Sequence, residues 1–188
     1  MDNRNNILSC ALRLFASKGY DAVGVQEIVD SAGITKPTLY HYFGSKHGLL
    51  EALLAEHFSQ LNLRVGVAAY YRHDLPASLA EIMRAFFQYA RENPTFYRFQ
   101  LGLWFAPQQS EAHQALVRWN NEQYQIIENL FAQAVADHGN MQGRQQAYAA
   151  TLLGMIHTYI GLWLNGHTNL DDTLLYQAVH QFQHGIYS

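Results

Sequence analysis

Hydrophobic residues recur every three or four positions along most of the chain, which is the spacing of one face of an α-helix. The first stretch carries Ile7, Ala11 and Phe15, and two shorter stretches follow, ending at Gly33 and Phe43. Longer stretches fill the remainder, so the pattern predicts nine helices and no strand. We therefore expect an all-α fold in which a small head of three short helices is joined to a larger helical body.

Capping and helix-breaking residues mark where several of these helices should begin. Ser45 is a suitable N-cap for a long fourth helix, and Asn93-Pro94 combines an N-cap with a proline in the first helical turn. Neither an internal repeat nor a flexible linker interrupts the chain. The pattern favours a helix-turn-helix head, residues 1–46, followed by a body, residues 47–188.

The segment from Gln26 to Phe43 is the clearest functional signal. It contains two short helices separated by Ala32-Gly33-Ile34, and glycine permits the positive φ that a sharp helix-turn-helix corner needs. In the second helix Leu39 and Phe43 are four residues apart and should point to the core. The other face carries hydrogen-bond donors and apolar edges suited to bases in a major groove. Its residues are Lys36, Thr38, Tyr40, His41 and Tyr42.

The helix starts around this motif carry further candidate contacts. Thr35 can cap the second helix, and Pro37 is tolerated in its first turn. Ser45-Lys46 opens the next helix, where the lysine and free backbone amides can hold a phosphate. The alternative is an ordinary helical corner with a polar surface. The exposed Tyr-His-Tyr group and the nearby lysines favour DNA binding.

Residues 4–54 closely resemble the DNA-binding head of the TetR family of transcriptional regulators. The resemblance is carried by residues 11–20, 25–28, 32–43, 45–46 and 49–50. It implies that the exposed face of the second motif helix reads bases, that Tyr42 and Lys46 hold phosphates, and that Gln26 contacts the DNA backbone. The predicted DNA-binding residues are Gln26, Thr35, Lys36, Pro37, Thr38, Tyr40, His41, Tyr42 and Lys46.

One position departs from the family pattern. TetR-family heads often have Ser or Thr where this chain has Gly24, just ahead of the second helix. Glycine can still cap a helix, but it has no hydroxyl to offer to DNA. The resemblance therefore leaves one expected phosphate contact in doubt.

The charged residues are unevenly distributed, although the formal net charge of the chain is only −3. Residues 1–50 contain five basic and four acidic side chains, and the remainder contains seven basic and eleven acidic ones. A mildly basic N-terminal end is the distribution expected if that end meets phosphate.

The single cysteine, Cys10, excludes a disulfide within the chain and favours a reducing cytoplasm. No run of about 18 apolar residues suggests a membrane-spanning helix. The N-terminus lacks the basic start and apolar stretch of a secretory signal. We therefore expect a cytoplasmic protein with no membrane partner.

The body is rich in aromatic residues, with 14 of the 25 in the chain between residues 75 and 165. The resemblance implies a ligand cavity here, and an aromatic lining favours an apolar or cationic small molecule. The candidate lining residues are Tyr89, Phe99, Trp104, Phe105, Trp119, Asn120, Gln123, Tyr124, His157 and Tyr159. The alternatives are a plain aromatic core, amides paired with backbone or with each other, and a hydrogen-bonded core histidine.

The eighth helix is apolar nearly all round, which is typical of a helix buried on two sides. Two copies of the eighth and ninth helices would form a symmetric four-helix dimer interface, in agreement with the resemblance. The candidate interface residues are Leu153, Gly154, Gly161, Leu164, Leu175, Val179 and Phe182. Such a homodimer would place two recognition helices on a near-palindromic operator.

Taken together, the sequence predicts a ligand-responsive repressor of the TetR family that a small hydrophobic molecule releases from DNA. The rival without DNA reading is a helical protein that binds a partner or a small molecule. An enzyme is not expected, because the sequence has no nucleophile elbow, phosphate loop or His-Glu-x-x-His motif. His180 and His184 have metal-ligand spacing, but no third ligand is near in sequence, so we expect no metal and no cofactor.

Overall fold

A computed structural model of the protein describes residues 3–185, which form nine α-helices and one short 3₁₀ turn, with no strand in that range. The helices are α1 (Asn3–Lys18), α2 (Val25–Ala32), α3 (Lys36–Phe43), α4 (Lys46–Ala68), α5 (Leu75–Glu92), α6 (Pro94–Trp104), α7 (Glu111–Ala134), α8 (Gln145–Leu164) and α9 (Asp172–His184). The 3₁₀ turn covers Gly139–Met141. The predicted all-α fold with nine helices is confirmed.

The ends of the helices have local causes that agree with the sequence. Gly33 ends α2 with a left-handed φ of 66°, a conformation that costs glycine little. Ser45 Oγ accepts the backbone N–H of Gly48 at 2.9 Å, so the predicted cap of α4 is present. Asp171 Oδ1 accepts the N–H of Leu174 at 2.9 Å and caps α9 in the same way.

The chain divides into two compact units. The first contains Met1–Ser59 and Asn93–Trp119, and the second contains Gln60–Glu92 and Asn120–Ser188. Two helices, α4 and α7, continue unbroken from the first unit into the second. The proposed division after residue 46 remains a prediction.

In the first unit, α1 packs against both α2 and α6. The Phe15 ring stacks on the Phe99 ring of α6, with their centroids 5.8 Å apart, and meets the edge of Tyr20 at 5.2 Å. On the other side of α1, Asn6 Nδ2 donates to the carbonyl of Ala32 at 2.8 Å. These contacts fix α1 against the end of α2, where the helix-turn-helix corner begins.

In the second unit, α5 packs against α8 and α9. The Phe86 ring of α5 meets the edge of the His157 ring of α8 at 5.7 Å, and Phe131 of α7 lies 5.4 Å from Tyr148 and 6.1 Å from Phe182. Aromatic packing therefore joins four helices of this unit.

By length and composition alone, α8 is apolar enough to cross a membrane. Its buried side chains include Leu152, Ile156 and Ile160, which belong to the core of the second unit. The core helix of a globular protein has the same composition, so this property is weak evidence for a bilayer. On the exposed face, Thr158 donates its hydroxyl to the carbonyl of Gly154 at 2.8 Å.

Candidate nucleic-acid interface

The α3 helix has one buried face and one exposed face. Leu39 is fully buried, whereas Tyr40 is 46% exposed and Tyr42 is 40% exposed. Lys36, Pro37 and His41 are exposed as well, and Thr38 is partly exposed. The helix thus presents the side chains that the sequence assigned to DNA on a single accessible surface, which we call the recognition face.

Thr35 occupies the N-cap position of α3 but does not cap the helix with its side chain. Its hydroxyl is hydrogen-bonded to the hydroxyl of Thr38 at 2.9 Å. The predicted side-chain cap is therefore wrong, because the two hydroxyls pair with each other. Thr35 itself is exposed at the edge of the recognition face.

Lys46 is held by the loop between α1 and α2. Its Nζ donates to the carbonyls of Tyr20 and Val23, both at 2.9 Å, and lies 4.1 Å from the centre of the Tyr20 ring. An ammonium group has three N–H donors, so one remains for a phosphate. The predicted phosphate contact stays a prediction, and Lys46 has a structural role that the sequence did not reveal.

Gln26 and Gly24 lie at the start of α2. The Gln26 side chain is exposed and donates to Asp30 Oδ1 at 2.8 Å within the helix. Gly24 is the N-cap residue, with an extended backbone at φ −87° and ψ 157° and no side-chain cap. A Cβ added to Gly24 would have no described heavy atom within 4 Å, apart from its chain neighbours. The site therefore has room for the Cβ of a serine or threonine at this position.

Gly24→Ser is expected to stabilise the head by a few tenths of a kcal/mol, because serine caps a helix slightly better than glycine. The added hydroxyl should also strengthen binding to cognate and random DNA by similar factors, since phosphates carry no sequence information. Thermal unfolding and fluorescence-anisotropy titrations measure the two effects. Gly24→Ala is the matched control, and an equal gain in DNA affinity for that variant would contradict the hydroxyl contact.

A polar network lies behind the loop that Lys46 holds. Tyr20 Oη donates to Glu111 at the start of α7 at 2.8 Å, and burial together with this carboxylate raises the pKa of Tyr20. Glu51 of α4 accepts from Arg118 of α7 at 2.6 Å. Helical periodicity could not predict these pairs, because each joins residues more than 60 positions apart. They connect the N-terminal part of α7 to α4 and to the loop after α1 within the first unit.

The ten residues predicted to line a ligand cavity are distributed over both units. Those in the first unit are Phe99, Trp104, Phe105 and Trp119, and those in the second are Tyr89, Asn120, Gln123, Tyr124, His157 and Tyr159. Phe105 is 88% exposed beyond the end of α6, so the prediction that it lines an enclosed cavity is wrong. Phe99 packs on Phe15 and supports α1. The Trp119 ring stacks on Phe58, with centroids 5.6 Å apart.

Polar groups are buried in the interior of the second unit. Gln123 and His157 are buried as the cavity prediction requires, and Asn62 of α4, which was not predicted, is buried with them. Burial lowers the pKa of His157 to about 4, so its ring is neutral near pH 7. Asn62 follows Phe58 by four residues on an otherwise apolar stripe, and this interruption was a signal that the sequence offered.

The predicted dimer residues fall into two groups. Leu153, Leu175 and Val179 are buried within the single chain, so they contribute to its own core rather than to a partner. This corrects their assignment to a partner-contacting surface. The residues that remain partly exposed are Gly154, Gly161, Leu164 and Phe182.

The two histidines of α9 are close together. The rings of His180 and His184 have their centroids 4.5 Å apart. Within residues 3–185, however, no group of three His, Cys, Asp or Glu side chains is arranged to hold a metal ion.

Comparison with known proteins agrees with the geometry of α2 and α3. Residues 7–53 match the family described as bacterial regulatory proteins, tetR family. The transcriptional activator FasR of Mycolicibacterium smegmatis is 27% identical over 184 residues, which are 98% of this chain and 82% of FasR. The transcriptional repressor BdcR of Escherichia coli is 39% identical over 79 residues, covering 41% of this chain and 39% of BdcR.

A solved structure shows the same fold along nearly the whole chain. FadR from Bacillus subtilis, crystallised in complex with stearoyl-CoA, superposes with a TM-score of 0.82 and 19% identity, covering 97% of this chain and 99% of FadR. The helical fold and the exposed recognition face together define a helix-turn-helix DNA-binding transcriptional regulator. Residues 7–53 thus form a DNA-binding head of the TetR type, and the whole chain is similar to transcriptional regulators of that family.

Proposed function

We propose that this protein is a cytoplasmic repressor that binds a palindromic operator as a homodimer and leaves it when a small hydrophobic molecule binds. The observation that carries this proposal is the recognition face of α3. Tyr40 and Tyr42 are exposed on this helix, whereas Leu39 is fully buried and anchors it. A helix that serves only for packing rarely exposes two tyrosines on its surface.

The recognition face suits the major groove by its chemistry. Lys36 and His41 can donate to base acceptors, and Tyr40 offers a hydroxyl together with an apolar ring edge. Lys36 is exposed, so its ammonium is accessible to DNA. Tyr42 and Lys46 are proposed to hold phosphates on either side of this surface.

A homodimer would supply a second recognition helix for the second half-site of the operator. The exposed and partly exposed face of α8 includes Gly154, Gly161 and Leu162, and small residues there allow a partner helix to approach closely. Phe182 lies partly exposed on α9, whose copies would complete a four-helix interface. We propose this face for the homodimer, in place of the residues found in the core.

A hydrophobic effector is proposed from the interior of the second unit and from the relatives. Tyr89 and Phe86 are fully buried there, and the Phe86 ring contacts the neutral His157. FadR, which has the same fold, was crystallised with stearoyl-CoA. An effector that binds this interior better in one state than in another would shift the dimer away from its DNA-bound state.

Selection of bound fragments from random DNA tests the proposal. We expect enrichment of near-palindromic sites, with an affinity for them that falls steeply as salt rises, because phosphate contacts release counterions. Tyr40→Ala should weaken cognate binding by about 1–3 kcal/mol and leave random DNA almost unaffected. If no sequence is enriched, the chain is instead a helical partner-binding protein. Activation rather than repression of a reporter would remove the repressor part of the proposal alone.

A further inference from the structure

Two side-chain amides that are buried in the second unit carry polar atoms without a hydrogen-bond partner among residues 3–185. Asn62 of α4 is 4% exposed, and neither its nitrogen nor its oxygen is paired. Gln123 of α7 is 2% exposed, and its Nε2 is unpaired. Leaving a buried polar group unpaired costs free energy, so each such group in a folded protein needs an explanation.

The helices that carry these amides, α4 and α7, are in side-chain contact within the first unit. Their contacts ascend along both sequences, from His47 with Glu111 through Glu51 with Arg118 to Phe58 with Trp119. Asn62 and Gln123 each follow the stacked pair by four residues, which is one helical turn along the same face. Both helices continue unbroken through these positions, and both amides are buried in the second unit.

Among residues 3–185, the second unit has no fully buried charged side chain. Apart from the hydroxyls of Tyr71 and Tyr89, its buried polar side chains in that range are Asn62, Ser78, Gln123 and His157. Burial keeps His157 neutral, since its pKa lies at about 4. A charged ligand group placed here would lose its hydration without meeting a counter-charge, which is strongly unfavourable. The interior therefore disfavours the cationic effector that the aromatic composition had left open.

The unpaired amide atoms determine which ligand groups could form hydrogen bonds with them. The Asn62 side chain offers two N–H donors and one carbonyl acceptor, and Gln123 Nε2 offers further N–H donors. A neutral carbonyl oxygen can accept from both amides. An N–H group next to that carbonyl can donate to Asn62 Oδ1, which an ester cannot do.

We propose that Asn62 and Gln123 together bind the uncharged carbonyl end of an apolar effector, a fatty amide or ester. This inference rests on the proposed function, because it names the chemical class of the effector. The rest of such a molecule would lie against the apolar side chains of the same unit. A ligand that pairs with both amides recovers hydrogen bonds that the free protein leaves unmade.

A matched series of compounds with a ten-carbon chain tests the role of Asn62 and Gln123 in the full-length protein. The probes are decanamide, methyl decanoate, decanoate, decylamine and decane, and binding is followed by thermal shift and by release of the selected operator. We expect decanamide to bind about tenfold more tightly than decane, as one or two net hydrogen bonds would give. Methyl decanoate should lie between them, and the two charged compounds should bind least well.

Variants of Asn62 and Gln123 then test whether these amides cause the preference for decanamide over decane. Asn62→Leu and Gln123→Met are each expected to lose the tenfold preference while still binding decane. Neither should lower the melting temperature of the free protein, because each removes an unpaired polar group. Asn121→Leu, at an exposed position of α7, is the control and should keep the preference. If one buried variant does not fold, the other decides the outcome.

The binding results distinguish failure of the carbonyl site from failure of the proposed function. Tightest binding by decylamine or decanoate, or an unchanged preference in both buried variants, would overturn the carbonyl site. So would the absence of binding by every probe in the series. If decane alone releases the operator as well as decanamide does, the hydrophobic-effector proposal stands and the role of the amides fails. If no hydrophobic compound of any class releases the operator, the proposed function fails as well.

Discussion

Replacing Leu39 by alanine is expected to destabilise the first unit by about 2–5 kcal/mol, the usual cost of truncating a buried leucine. Leu39 is fully buried beneath the recognition face, so its loss leaves a cavity that α3 cannot fill. Cognate and random DNA should be bound more weakly by similar factors, because the helix loses its support. Urea unfolding followed by circular dichroism measures the first effect, and anisotropy titrations measure the second.

Tyr40→Ala provides the matched control for Leu39→Ala, because the two residues are adjacent in α3 but Leu39 is buried and Tyr40 is exposed. Tyr40 is exposed, so its removal should change the unfolding free energy by less than about 0.5 kcal/mol. Only the affinity for the selected operator should fall. Equal stability of the two variants would show that α3 is not anchored through Leu39.

The second large effect is a loss of stability at low pH that depends on His157. The ordinary pKa of histidine in an unfolded chain is about 6.5, and burial lowers the folded value to about 4. Below pH 6.5 the unfolded chain therefore binds a proton that the folded chain excludes. The contribution of the neutral ring is fully present above pH 6.5 and declines as the pH falls toward 4, by about 3 kcal/mol in total.

Unfolding free energies of the wild type and of His157→Gln at pH 7.5 and pH 4.5 isolate this contribution. The carboxylates titrate in both proteins, so the difference between the two pH dependences belongs mainly to residue 157. We expect the variant to lose clearly less stability than the wild type over this range. His167→Gln, at an exposed position, should behave as the wild type. Identical pH profiles for all three proteins would contradict a buried neutral ring.

Residues that act within one helix or one corner could be predicted from the sequence. The four-residue spacing correctly placed Leu39 in the core, although its predicted companion Phe43 is only partly buried. Gly33 adopts the positive φ expected at the corner, and Ser45 caps α4. These features depend on local geometry and on a two-sided hydrophobic pattern, both of which a single sequence contains.

Residues whose roles depend on distant partners could not be predicted in the same way. Composition grouped Phe105 with the cavity aromatics, but the chain leaves α6 at that point and exposes the ring. Nothing in the spacing of Tyr20 and Glu111 shows that they form a hydrogen bond. Thr35 occupies the N-cap position of α3, but its hydroxyl is hydrogen-bonded to the hydroxyl of Thr38 instead of capping the helix.

The way Lys46 holds the loop after α1 has a consequence for how this region tolerates mutation. The ammonium binds the main-chain oxygens of Tyr20 and Val23, and a carbonyl is present whatever side chain the residue carries. Asp21 and Ala22 between them are exposed. Related regulators should therefore be able to diverge at those two positions without disturbing the head, while the lysine that grips the backbone stays in place.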